Sequence, residues 1–248
     1  MLQRQTSNIL RLITALTYAL MLICVSWSEA GTIMVDLGAE QGPMNHRANG
    51  YLVSIDPDEP GMDVILPLKP NSFRGNAGYV FKNYDRLKQA GVTEFQLTLG
   101  LVFKDLPLQI FDINQIGVEG DYAPWLAHVD RIIDQVMDRR LSVLWDIYNE
   151  PDLATLPIND NDRLKEGWRL AYQRIKQRMP GAQIVGPSIS RYRLLKPFLE
   201  WSQEHHVFPD VVAYHEYDDP SNAPALVEDL RRAWAEGPCC AAFLFCAA

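Results

Sequence analysis

The sequence has no run of Lys and Arg and no basic stripe interleaved with aromatics, and its formal net charge is −8. Nucleic acid is therefore not expected as a partner. Its histidines (His46, His128, His205, His206 and His215) show none of the paired spacings, such as HExxH, by which a helix offers two ligands to a metal. Neither a metal nor a cofactor is expected. No glycine-rich phosphate loop comes after the first strand-like segment, which argues against a nucleotide-binding sheet. The Gly-x-Ser-x-Gly elbow of serine hydrolases is missing as well, since Ser188 lies in GPSIS without a second glycine. Cysteine is confined to the two ends: there are four, and none falls within 25–238.

What remains is a chain of 248 residues, 48% hydrophobic and 22% charged, enough to bury a substantial core as one globular domain. The first 30 residues read as a secretory signal peptide. Arg4 and Arg11 precede an apolar run over 12–27, and Ser28 and Ala30 form a small-x-small cleavage site before Gly31. That run is short for a membrane span. The mature protein is expected to be secreted or periplasmic, with no stable membrane insertion once the leader is cleaved.

From there short apolar runs alternate with longer amphipathic ones. Strand-like segments are GYLVSI (50–55), EFQLTLG (94–100), SVLWDIYN (142–149), QIVGPSI (183–189) and DVVAYHEY (210–217), with a weaker one at NSFRG (71–75). Helical stripes run through Leu164, Trp168, Ala171 and Ile175, stopped by Pro180-Gly181, and through Trp125, Val129, Ile132, Ile133 and Val136. Two more helices fit 194–204 and 224–235. The segment 103–122 reads as a long loop.

Alternating β and α segments predict an α/β fold with a parallel sheet under covering helices. Polar residues sit at the C-terminal ends of several separate strands: Asn149 and Glu150, Ser188, His215 and Tyr217. Enzymes built on a (β/α)8 (TIM) barrel assemble their sites at that face, so a barrel is favoured over an open doubly wound sheet.

The stretch WDIYNEPDL then carries a specific resemblance. It is similar to the signature of clan A glycoside hydrolases, retaining enzymes on a (β/α)8 barrel. IVGPSIS (184–190) and VVAYHEY (211–217), in that order, resemble family 39 and its xylosidase, iduronidase and exopolysaccharide-hydrolase relatives. The resemblance spans about 31–235. It implies that Glu150 is the general acid/base, which protonates the leaving oxygen and later deprotonates water. Holding that proton near neutral pH calls for a raised pKa, to which apolar neighbours such as Trp145 and Tyr148 would contribute. It further implies that Asn149 hydrogen-bonds the sugar 2-hydroxyl, and that His215 faces the sugar or the nucleophile. Tyr217 would contact the nucleophile or stack on a ring, and Arg74 is a weaker match to a sugar-site arginine. The implied partner is an oligo- or polysaccharide. Strict alternation would send Asn149 and Glu150 to opposite faces; both line a cleft only if the strand ends or bulges there, and Pro151 fits such an ending.

Retention also needs a second carboxylate about 5–5.5 Å from the first, as nucleophile. In the resembled clan that glutamate ends the seventh strand. Six strands are counted through Tyr217. Beyond Glu236 the residues are GPCCAAFLFCAA (237–248), which contain no Asp or Glu and three of the four cysteines. An odd, clustered set of cysteines is unusual in a secreted protein. Three segments are therefore expected: a leader (1–30), a partial barrel of about six of eight βα units (31–236), and an atypical tail (237–248) that looks like foreign sequence. On that reading the chain has an acid/base without its nucleophile and is inactive as it stands. The alternative is a non-catalytic carbohydrate-binding barrel.

Overall fold

A computed structural model describes residues 49–53, 55–102, 109–155, 157–215, 228 and 242–245. Its framework is one all-parallel sheet. β1 (Gly50–Leu52), β2 (Ser72–Asn76), β3 (Glu94–Leu101), β4 (Leu144–Asn149), β5 (Gln183–Ile189), β6 (Val211–Tyr214) and β7 (Ala242–Phe245) lie side by side in chain order. Each strand pairs with the next through a parallel register, from Gly50↔Ser72 at one edge to Tyr214↔Phe245 at the other. Among the described residues no pairing joins β7 back to β1. The architecture is α/β, an incomplete (β/α)8 barrel.

The connections are helical where the sequence allows. α1 (Met62–Leu68) and α2 (Ala77–Gln89) flank β2, α3 (Ala123–Asp138) precedes β4, α4 (Asp162–Arg178) precedes β5, and α5 (Leu195–Glu204) precedes β6. Their ends are set by local chemistry. Asn161 caps α4 by accepting from the amides of Arg163 and Leu164, and Asp162 sits at the positive end of the helix dipole. Lys176 and Arg178 occupy its last turn, before Pro180-Gly181. Asn76 caps α2 through the Tyr79 amide. The two apolar stripes read from the sequence, Trp125 to Val136 and Leu164 to Ile175, are the buried faces of α3 and α4. A network of Arg174 and Arg178 with Asp130, joined by Asp134, ties the exposed flanks of these helices together.

Of the long loop expected over 103–122, residues 103–108 lie outside the described residues, and the remainder carries short regular pieces. Phe111–Asp112 add a two-residue strand to β3, and two 3-10 turns come next at Ile113–Gln115 and Val118–Gly120. Ile113 and Ile116 are fully buried, so hydrophobic burial fixes a segment with no regular apolar period.

The sheet has two different faces. Phe73, Phe95, Leu97, Leu99, Trp145, Ile147, Ile184 and Val212 belong to the main core under the helices. Residues of the opposite parity, Leu144, Val185, Val211 and Ala213, form a separate small apolar cluster. The same inner side carries Arg74, Gln96, Thr98 and Asp146, whose side chains meet across three strands. The interior is thus polar under β2 to β4 and apolar under β4 to β6. Gly186 permits the close packing of β5 on α4. Its φ is +153°, and a Cβ there would lie 2.3 Å from a ring carbon of Trp168.

Candidate active site

The polar interior is organised by one residue. Asp146 is fully buried in the middle of an otherwise apolar strand. Its Oδ2 accepts from Arg74 Nε (3.1 Å) and Nη2 (2.6 Å), from Gln96 Nε2 (2.8 Å) and from Thr98 Oγ1 (3.2 Å). Its Oδ1 accepts from Ser188 Oγ (2.9 Å). Taking a carboxylate and a guanidinium out of water is costly, and only such a full set of donors offsets it. Four strands are thereby joined at a single carboxylate.

Arg74 extends this cluster toward the C-terminal end of β4, where its Nη2 also donates to Asn149 Oδ1 at 2.7 Å. Asp146 and Asn149 differ in parity, so strict alternation would separate them. The alternation breaks between Asp146 and Tyr148. Although these two share parity, Tyr148 reaches the opposite side, where its hydroxyl donates to the Leu164 carbonyl of α4. After that break Asn149 falls on the interior side.

Glu150 ends the strand. Its φ of 50° and ψ of 52° place it in the left-handed region, which is uncommon for a residue with a Cβ and costs of order 1 kcal/mol. The conformation is held on both sides. The Glu150 amide donates to the Ser188 carbonyl (2.9 Å), and its own carbonyl accepts from the Leu153 amide (3.0 Å). Ser188 is itself at φ 51°, where the register between β5 and β6 shifts. The adjoining turn is locked to β5 by buried Asp152, which accepts from the amide (2.8 Å) and hydroxyl (2.7 Å) of Ser190. The strand-ending device expected at Asn149-Glu150-Pro151 is therefore present, with the turn in Glu150 itself.

His215 arrives from the next strand but one. Its amide donates to the Ile189 carbonyl (2.7 Å), and its Nδ1 lies 2.8 Å from Glu150 Oε1. Both side chains are buried. One proton occupies this hydrogen bond, either on the ring nitrogen or on the carboxyl oxygen. A buried carboxyl sharing a proton with an imidazole is equipped to give up and retake that proton, which is what general acid/base chemistry requires.

Four of the five residues singled out in the sequence, Arg74, Asn149, Glu150 and His215, thus fall into two hydrogen-bonded pairs: Arg74, from the middle of β2, with Asn149 at the end of β4, and Glu150 just after β4 with His215 just after β6. Tyr217 lies outside the described residues. Tyr148 does not flank Glu150 as expected; it belongs to the helix layer, where burial pushes its hydroxyl well above the ordinary tyrosine range. Sequence reasoning missed Asp146, Gln96, Thr98 and Asp152. The one available signal was a charged residue inside the apolar run LWDIYN, which a buried strand carries only when the charge is fully partnered. Glu204–His206 end α5 in solvent, with the His205 ring stacked on Trp201. Among the described residues no cluster of His, Cys, Asp and Glu is placed to hold a metal ion, and no helix is long and apolar enough to cross a membrane.

No family model and no curated protein matches the chain. Solved structures do. N2152 from Neocallimastix frontalis aligns over 82% of this chain and 53% of its own, with a TM-score of 0.62 at 22% identity. A GH39 beta-xylosidase from Caulobacter crescentus aligns over 84% of this chain and 55% of its own, with a TM-score of 0.55 at 17% identity. The GH39 enzyme from Xanthomonas axonopodis pv. citri aligns over 79% and 49%, with a TM-score of 0.54 at 13% identity. The chain thus spans about half the length of the solved structures it matches. At these identities the likeness is one of fold: the chain has the fold of these structures, two of them GH39 enzymes, as a partial (β/α)8 barrel.

Proposed function

We propose that the chain carries the acid/base half of a retaining glycoside hydrolase acting on O-glycosidic bonds of an oligo- or polysaccharide, with Glu150 as the proton donor. The observation that carries this reading is the buried Glu150–His215 pair (2.8 Å) at a strand end, beside an Asn149 held on the same interior side. Glu150 protonates the glycosidic oxygen as the bond to the anomeric carbon breaks, and His215 keeps the carboxyl oriented. Asn149 hydrogen-bonds a sugar hydroxyl, a contact that strengthens as oxocarbenium character develops. The protein works outside the cytoplasm after loss of a leader over 1–30.

The second catalytic group is the open part of the reading. Residues 237–248 hold no Asp or Glu, so β7 brings no carboxylate to the position where a retaining nucleophile belongs. We therefore expect binding without turnover. That feature also favours a second reading, a carbohydrate-binding barrel in which Glu150 and His215 serve recognition alone. The direct experiment titrates xylo-oligosaccharides and glucuronate-containing oligosaccharides against the purified chain and assays 4-nitrophenyl glycosides in parallel. Saturable binding with no release of nitrophenol supports the proposal. Turnover that disappears in Glu150→Gln would show that the chain already holds a nucleophile, and absence of binding to every sugar would refute both readings.

A further inference from the structure

The two residues of the Asn-Glu pair are both held, by different routes, from Asp146. One route runs from Asp146 Oδ2 through Arg74 Nη2 to Asn149 Oδ1 (2.6 and 2.7 Å). The other runs from Asp146 Oδ1 to Ser188 Oγ (2.9 Å), and the Ser188 carbonyl then accepts the Glu150 amide (2.9 Å). A guanidinium has only donors, so the Asn149 atom facing Arg74 must be the carbonyl oxygen whatever else the amide does. The Asn149 NH2 is then turned away from Arg74. Among the described residues it has no protein acceptor, although Asn149 is only 8% exposed.

We propose that Asp146 is a positioning residue for the site: through Arg74 it fixes the polarity of the Asn149 carboxamide, so that the site presents an N–H donor to a sugar hydroxyl oxygen, and through Ser188 it holds the Glu150 backbone. This rests on the hydrolase reading only for the identity of the ligand. Arg74 accordingly acts on the ligand through Asn149: its side chain is 12% exposed, and its Nη2 bridges Asp146 and Asn149. The class of ligand group is thereby set: an acceptor, such as a ring hydroxyl, is recognised at this position, and a ligand lacking that hydroxyl loses the contact.

The test begins on the full chain without sugar, so the relay is judged apart from the hydrolase reading. In 15N-labelled protein the Arg74 guanidinium is assigned by its loss in Arg74→Lys, and the Asn149 carboxamide by its loss in Asn149→Asp. Slowly rotating, individually resolved Arg74 Nη protons are expected. In Asp146→Asn these should collapse to an average and the Asn149 amide pair should move, while the amides of α3 and α4 stay in place. Averaged Arg74 protons in the native chain, or unmoved Arg74 and Asn149 signals in Asp146→Asn, would overturn the relay. If Asp146→Asn does not fold, Arg74→Lys is read instead, and an unshifted Asn149 pair there overturns it equally. Methyl β-D-xyloside is then added. It should shift the Asn149 pair in the native chain, with affinity falling about tenfold or more in Asp146→Asn, the scale of a lost positioning partner, and its 2-deoxy analogue should bind both proteins alike. Native-like affinity in Asp146→Asn would refute the positioning role. Absence of any sugar response in the native chain would count against the hydrolase reading, and the ligand-free signals would still decide the relay.

Discussion

The pH dependence of stability can be worked out in advance from His128. It sits on the buried face of α3, stacked on Trp125 with ring centroids 5.9 Å apart and 13° between planes. Arg131 Nη2 lies 2.8 Å from its Nδ1. Because arginine can only donate, Nδ1 must offer its lone pair, and the folded ring is neutral. Burial, and then the Arg131 charge, lower its pKa from 6.5 to about 4. Between these two values the unfolded chain binds the proton and the folded chain does not, so stability contributed by this site falls as pH drops below 6.5. Linkage gives a loss of about 1 kcal/mol at pH 6, about 2 at pH 5 and about 3 at pH 4, relative to neutral pH. Urea unfolding of the native chain and of His128→Gln, which keeps an acceptor for Arg131 but does not titrate, isolates the effect as a difference. The gap between the two should narrow or invert with acidification by those amounts. Parallel curves from pH 7 to pH 4 would mean that His128 is not held neutral and would refute the argument.

Three further perturbations probe the framework around the site. Gly186→Ala should destabilise by about 2 kcal/mol or more in chemical denaturation, since the new methyl meets Trp168 and the backbone is one that side chains rarely adopt. Asp152→Ala should cost about 1–3 kcal/mol by leaving the Ser190 amide and hydroxyl unmet, and hydrogen exchange at Ser190 should accelerate. Trp168→Ala, which empties a fully buried site and removes the Nε1 bond to the Val207 carbonyl, should cost about 3–5 kcal/mol in the same assay.

Much of the fold was legible because burial leaves a periodic mark. The stripes of α3 and α4 and five of the strands can be read directly from where Trp, Ile, Leu and Val recur. α2 escaped because its buried face includes Ala77, Gly78 and Asn83, residues that carry little apolar signal. α1 is short and contains Pro67. The segment after β3 escaped because Ile113 and Ile116 are buried from single 3-10 turns, which have no long period to detect. At the site, WDIYNEPDL pointed to Asn149 and Glu150, and the end of β6 to His215. What it could not convey was the break in alternation between Asp146 and Tyr148. That break comes from tertiary pairing: Asp146 is drawn inward by Arg74, Gln96, Thr98 and Ser188, and Tyr148 outward by α4. The central role of Asp146 is likewise invisible one strand at a time.

The central proposal is that Glu150 is a proton donor and that β7, in a segment without Asp or Glu, supplies it no nucleophile. Azide tests both halves together. As an external nucleophile it attacks the anomeric carbon of a 4-nitrophenyl β-glycoside from the face left open, the bond to the nitrophenyl oxygen breaks, and Glu150 supplies the proton to that oxygen. The products are a glycosyl azide of inverted configuration and nitrophenol. The account predicts no release without azide, release that rises with azide concentration, and loss of that release in Glu150→Gln for poorer phenolic leaving groups. Azide-dependent release that is indifferent to Glu150→Gln with such leaving groups, or rapid hydrolysis with retention in the absence of azide, would contradict it.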